Sequence, residues 1–128
     1  MNEASLRPQS LPDYVLVSQV FPPAIGGSGV LLDNVYSRIA NARVVALVDE
    51  ATCGRPQHGR ITVEATTISP TAWGLIDPRA WPHHWRLARA VRRISRNRQA
   101  IVHCGRAQPE GIAAFLASLA PGGMPYVF

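Results

Sequence analysis

The chain has 128 residues, 47% of them apolar and 16% charged, which bounds it to one globular domain with a real core, short for a complete two-domain enzyme. Its net charge is +5 and all 13 basic residues are arginine, so a lysine-dependent Walker A phosphate loop is excluded while anionic partners are favoured. No stretch approaches the run of about 18 apolar residues that a membrane-spanning helix needs, and the polar, proline-containing start has no signal-peptide core; a cytoplasmic location is expected.

Residues 1–12 are expected to form a flexible N-terminal segment and residues 13–128 the folded domain. The first strand is predicted over 14–19, apolar enough to be covered on both faces. A proline-stiffened turn and the glycine-rich bend Gly26-Gly27-Ser28-Gly29 lead into a helix predicted over 28–41, with Leu31, Leu32, Val35 and Ile39 on its core face. A second buried strand is predicted over 43–48, a loop over 51–59, and a third strand, rich in β-branched residues, over 61–68. Residues 69–85 hold Trp73, Trp81 and Trp85 with Pro70, Pro78 and Pro82, and read as a long loop entering a helix over 83–97. On that helix Leu87, Val91 and Ile94 share one face, with Arg86, Arg89, Arg92, Arg93 and Arg96 fanned over the other.

A fourth strand is predicted over 100–104. A helix follows, with Pro109 in its first position, Glu110 at its positive end, and Ile112, Phe115, Leu116 and Leu119 as its core stripe. Gly122-Gly123 ends it, and a fifth strand begins over 125–128. The alternation predicts an α/β fold: a Rossmann-like, doubly wound parallel sheet of about five strands with flanking helices and no internal repeat. Because a natural terminus is normally a surface segment, the apolar last strand predicts a chain that continues past Phe128.

The order strand, glycine bend, helix aims bare backbone N–H groups at the space above the first strand's C-terminal end, a ready anion site. Glycine there permits close backbone approach to a ligand; a plain tight turn uses the same residues. Gly27-Ser-Gly29 followed by Asp49 partly mimics a dinucleotide fingerprint, but Leu32 stands where the third glycine belongs and the glycines lie some way beyond the strand. His103 falls at a strand's C-terminal end, where α/β ligands gather; a histidine hydrogen-bonded within the fold is the simpler reading. Arg106 and Glu110, in the loop and helix start after that strand, are candidate phosphate- or substrate-binding residues, Arg106 offering either a bidentate phosphate clamp or a surface pair with Glu110. Cys53, His58, His83, His84, His103 and Cys104 have no zinc-type spacing, so no metal site is expected, and the two cysteines read as reduced thiols.

Phe21-Pro22-Pro23-x-x-Gly26-Gly27-x-Gly29 after a first strand, with Ile101-Val-His-Cys-Gly-Arg106-Ala-Gln-Pro109-Glu110-Gly111, a helix and Gly123-Met-Pro125-Tyr-Val-Phe128, resembles the N-terminal domain of family-4 glycosyltransferases of GT-B architecture. The likeness runs from Tyr14 to Phe128. It implies the acceptor-side half of a retaining enzyme that moves sugar from a nucleotide-sugar to a sugar or lipid-linked acceptor, with no cofactor or essential metal. Gly26 and Gly27, with Gly29, would then meet a phosphate or headgroup through their backbone amides. The family's histidine would fall just after Phe128, and its donor domain lies beyond, so this chain alone is not expected to catalyse transfer.

Two other readings stay open. One is a non-catalytic module that binds a partner or an anionic membrane surface through its Trp/Arg face, peripheral on the inner side of the membrane. The other is an NAD-type dinucleotide-binding domain. Nucleic acid is not expected, since no reading module is recognisable and aromatics and arginines do not interleave on one face.

Overall fold

In a computed structural model, residues 13–22, 27–40, 42–51, 61–68, 76–95, 100–106, 110–119 and 125–127 are described. They form β1 (Tyr14–Ser18), α1 (Gly27–Tyr36), β2 (Val44–Asp49), β3 (Ile61–Thr66), α2 (Trp81–Ser95), β4 (Ile101–Cys104), α3 (Ile112–Ser118) and β5 (Tyr126–Val127). The strands make one sheet in the order β3-β2-β1-β4-β5, parallel at every pairing. This is the α/β, Rossmann-like sheet expected from the alternation of strands and helices. Residues 1–12, all but the first residue of the loop expected over 51–59, Trp73, Pro109, Gly122, Gly123 and Phe128 lie outside the described residues.

The strand order reverses between β1 and β4, so successive crossovers lay helices on opposite faces. On one face, Leu32 and Tyr36 of α1 pack with Leu16, Val44, Ala46 and Val48. On the other, α2 and α3 bury Leu87, Val91, Ala113 and Ala117 against Val15, Val17, Leu47 and Val102. β2 is buried along its whole length, as a central strand covered on both faces must be. The α1 face is less complete over β4 and β5: His103 is half-buried, and its register partner Val127 is exposed.

Two helix faces differ from those the sequence predicts. On α1 the buried residues are Gly29, Leu32 and Tyr36, while Leu31 and Val35 are 63% and 49% exposed. The cause is Gly29, whose missing side chain lets α1 rest on backbone: a Cβ there would overlap the Val20 carbonyl oxygen and lie 2.8 Å from its carbon. That contact turns the Gly29–Leu32–Tyr36 stripe inward. α1 also ends at Tyr36 rather than Asn41: Ser37 still bonds Asp33 four residues back, but the two amides after it, Arg38 and Ile39, bond three residues back and tighten the chain into a turn.

On α3 the inner residues are Ala113, Ala114 and Ala117, with Phe115 and Leu119 at 48% and 64% exposure. α3 packs against α2 as well as the sheet, and only small side chains admit so close an approach on both sides. The face expected for α2 is as observed, with Leu87, Val91 and Ile94 buried. That helix starts two residues early, taking Pro82 into its first turn, where no amide is needed. The third strand ends at Thr66; Ile68 beyond it is buried, its amide donating to Asp49 Oδ1 at 3.2 Å.

Candidate functional site

Where strand order reverses, two neighbouring strands send their outgoing chains to opposite faces and a crevice opens at their C-terminal ends. Here that crevice lies between the ends of β1 and β4, and a cleft of about 330 Å³ runs from it along α1. Ser28, Leu31, Leu32, Val35 and Tyr36 form the helix wall, and His103, Cys104 and Gly105 the strand side. The cleft is polar at the α1 N-terminus and apolar farther along the helix.

The polar end is built by close packing. Gly105 donates its amide to Val17 O at 2.8 Å, and a Cβ on Gly105 would lie 3.2 Å from Ser18 Oγ and 3.5 Å from Ser28 Oγ. A side chain there would crowd the Ser18 hydroxyl and come into ordinary contact with that of Ser28. Ser18 Oγ donates to Val20 O at 2.8 Å, closing the chain's exit from β1 into a tight turn. Gly27 starts α1 at the surface, and a Cβ on it would meet no atom within 4 Å. The two glycines thus differ in kind. Gly29 is required for packing, whereas Gly27 leaves open room above a helix N-terminus.

At the other end, Tyr36 Oη and His103 Nδ1 are 2.8 Å apart, with the Tyr14 ring tilted at 60° against Tyr36, 5.1 Å between ring centroids. Burial raises the Tyr36 pKa, helped by Tyr14, so its hydroxyl keeps its proton. Burial lowers the His103 pKa, which holds the ring neutral. With the phenol proton shared onto Nδ1, the ring proton belongs on Nε2, an assignment that follows from the hydrogen bond.

Arg106 and Glu110 do not form an ion pair with each other; both meet Gln19, the first residue after β1. Arg106, exposed, donates from Nη1 to Gln19 Oε1 at 3.1 Å. Glu110 is fully buried, and its Oε1 accepts the Gln19 amide at 2.9 Å. Burial raises the Glu110 pKa, opposed by the Gln19 amide, its own amide and the Arg106 charge. Cys104 donates from Sγ to Glu110 O at 3.6 Å, and burial with the neighbouring carboxyl pushes its thiol up to about 12. Glu110 therefore works from inside the fold, not at an exposed helix start.

Of the residues expected from sequence, His103 lines the cleft, Gly29 rests on Val20 just past β1, and Arg106 meets Gln19 there, while Gly27 begins α1 at the surface and Gly26 lies outside the described residues. Sequence reasoning missed Tyr36, Ser18 and Gly105. A glycine directly after a buried strand was the available signal for Gly105, and Tyr36, seven residues from Gly29, for the inner stripe of α1. Among the described residues no group of three or more His, Cys, Asp or Glu could hold a metal ion, and no helix is long and apolar enough to cross a membrane. Compared with models of known protein families and with curated proteins, the chain matches none.

Proposed function

We propose that this chain is the N-terminal, acceptor-side half of a retaining glycosyltransferase of GT-B architecture, transferring sugar from a nucleotide-sugar to a sugar or lipid-linked acceptor. The observation that carries the reading is the N-terminus of α1, with open space at Gly27, set above the crevice where β1 and β4 diverge. A helix start there turns its first N–H groups and the positive end of the helix dipole toward a phosphate or headgroup, and a Cβ at Gly27 would meet no atom of the described residues within 4 Å. Retention of configuration and independence from metal come from the resemblance to the family.

Asp49 favours this reading over a nicotinamide-binding one. It stands at the end of β2, where a ribose-binding carboxylate belongs. Its side chain is buried, however, and its Oδ1 is occupied by the Ile68 amide.

Sugar transfer by the native protein purified from its own cells, assayed with labelled nucleotide-sugars, tests the proposal. Transfer is expected, and Gly27→Leu abolishes it while leaving the unfolding curve in place. Transfer unaffected by that substitution, or no transfer from any nucleotide-sugar, overturns it.

A second surface favours a lipid-linked acceptor. Trp85 is 50% exposed on α2 beside the exposed Arg86, Arg89 and Arg93, and Ile76 and Arg79 stand out just upstream. Arg93 is 3.4 Å from Glu64, so part of this charge is already paired. An aromatic ring among arginines on an exposed helix face suits an anionic membrane surface. Co-sedimentation with phosphatidylglycerol vesicles but not with phosphatidylcholine ones is expected; equal binding to both refutes the charge-based contact.

A further inference from the structure

Glu110 is the most buried ionisable side chain near the crevice, and its complete burial keeps it from the direct phosphate or substrate contact that the sequence led us to expect. One carboxyl oxygen accepts the Gln19 amide, and the other has no hydrogen-bond partner among the described residues. A buried carboxyl left half-satisfied is costly, which makes a purely passive filler an expensive choice. Its position is also unusual. It lies in the wide turn at 110–111 that precedes α3, and it reaches back to the residue leaving β1.

We propose that Glu110 is a positioning residue for the chain as it leaves β1, fixing Gln19 and, through the Gln19 side chain, Arg106 at the rim of the crevice. The contacts form one chain. Glu110 Oε1 holds the Gln19 amide, Gln19 Oε1 holds Arg106 Nη1, Ser18 Oγ closes on Val20 O, and Gly29 of α1 rests on the Val20 carbonyl. Displacing Gln19 therefore moves the surface on which the N-terminus of α1 is seated. The inference rests on the reading of that N-terminus as phosphate-facing.

The same geometry makes the position proton-linked. The charged group acting on Glu110 is the Arg106 guanidinium, which favours the carboxylate; Glu110 in turn suppresses ionisation of the neighbouring Cys104 thiol. Burial outweighs Arg106 and favours the acid. Ionisation would strengthen the pull on the Gln19 amide and on Arg106 while placing charge on an oxygen with no partner.

Amide NMR of the chain, with inorganic pyrophosphate as probe, tests this. The Gln19 amide of the wild type should titrate with a midpoint above the ordinary carboxylate range, and Glu110→Gln should abolish that titration while keeping the loop amides in place. Glu110→Ala should shift the amides of Gln19, Val20, Gly27 and Ser28 and weaken pyrophosphate at least tenfold, with Glu110→Gln within twofold of wild type. A Gln19 amide indifferent to pH and to both substitutions overturns the proposal, as does a Glu110→Ala effect confined to α3. If Glu110→Ala does not fold, the wild-type titration and Glu110→Gln decide the matter. Should the wild type bind no pyrophosphate, the phosphate reading fails and the loop shifts still judge Glu110.

Discussion

Gly29→Ala is the sharpest perturbation the fold offers. The added methyl would overlap the Val20 carbonyl oxygen and lie 2.8 Å from its carbon and 3.0 Å from Phe21 Cα, where carbon atoms pack at about 3.5–4.0 Å. All three atoms are backbone, so no side chain can swing aside and α1 must retreat by about 1 Å. A gap of that size forfeits about a quarter to a half of each dispersion contact it opens, here those of Leu32 and Tyr36 with the sheet. Overpacking of this kind costs about 1–3 kcal/mol, and the rigidity of the contact places it at the upper end. Alanine recovers about 0.8–1 kcal/mol of helix propensity, leaving a net loss of about 2 kcal/mol. With a urea slope of about 2 kcal/mol/M, the midpoint should fall by about 1 M. Gly27→Ala, whose Cβ meets nothing within 4 Å, is the control and should stay within about 0.5 kcal/mol of wild type. Urea unfolding followed by far-UV circular dichroism reads both. A Gly29→Ala midpoint equal to or above the Gly27→Ala midpoint refutes the close-approach argument.

Leu32→Ala should cost about 2–5 kcal/mol as a buried truncation, whereas Leu31→Lys, on the exposed side of α1, should change stability by no more than about 0.5 kcal/mol; chemical denaturation distinguishes them, and the reverse ranking would restore the face predicted from sequence. Tyr36→Phe should lose about 1 kcal/mol for the hydrogen bond to His103, and the His103 imidazole nitrogens should shift in ¹⁵N spectra. Because the His103 pKa is lowered in the folded state, the unfolded chain takes up its proton first as pH falls; its contribution to stability should therefore be complete above about pH 6.5 and decline as pH falls from there, a slope that His103→Gln removes. Cys104, with its thiol raised to about 12, should resist an aromatic disulfide reagent at pH 8 in a Cys53→Ser background and react only on unfolding.

The fold class was written in the sequence because its signals are local and redundant. Apolar runs at 14–18, 44–48 and 101–104, separated by helical spacing, leave few ways to bury strands other than a parallel sheet with helices on both faces. The basic face of α2 was legible for the same reason, since apolar and arginine positions separate cleanly around one helix. The inner face of α1 was not. Val30, Leu31, Leu32 and Val35 spread apolar surface around much of the helix, so periodicity selects no unique stripe, and Gly29 decides it by resting on Val20. In α3 small size won over hydrophobicity, with alanines inside and Phe115 outside, because α2 stands close by.

The candidate site divides in the same way. A glycine bend before a helix, near a strand's end, marked the start of α1 from sequence alone, since turn chemistry and helix termini are properties of neighbouring residues. The pairs that define the site span long separations: Tyr36 with His103, Gln19 with Glu110, Arg106 with Gln19. No local pattern encodes them. Only the reversal of strand order, which brings β4 beside β1, set these residues within hydrogen-bonding distance and gave Glu110 a buried role in place of an exposed helix start.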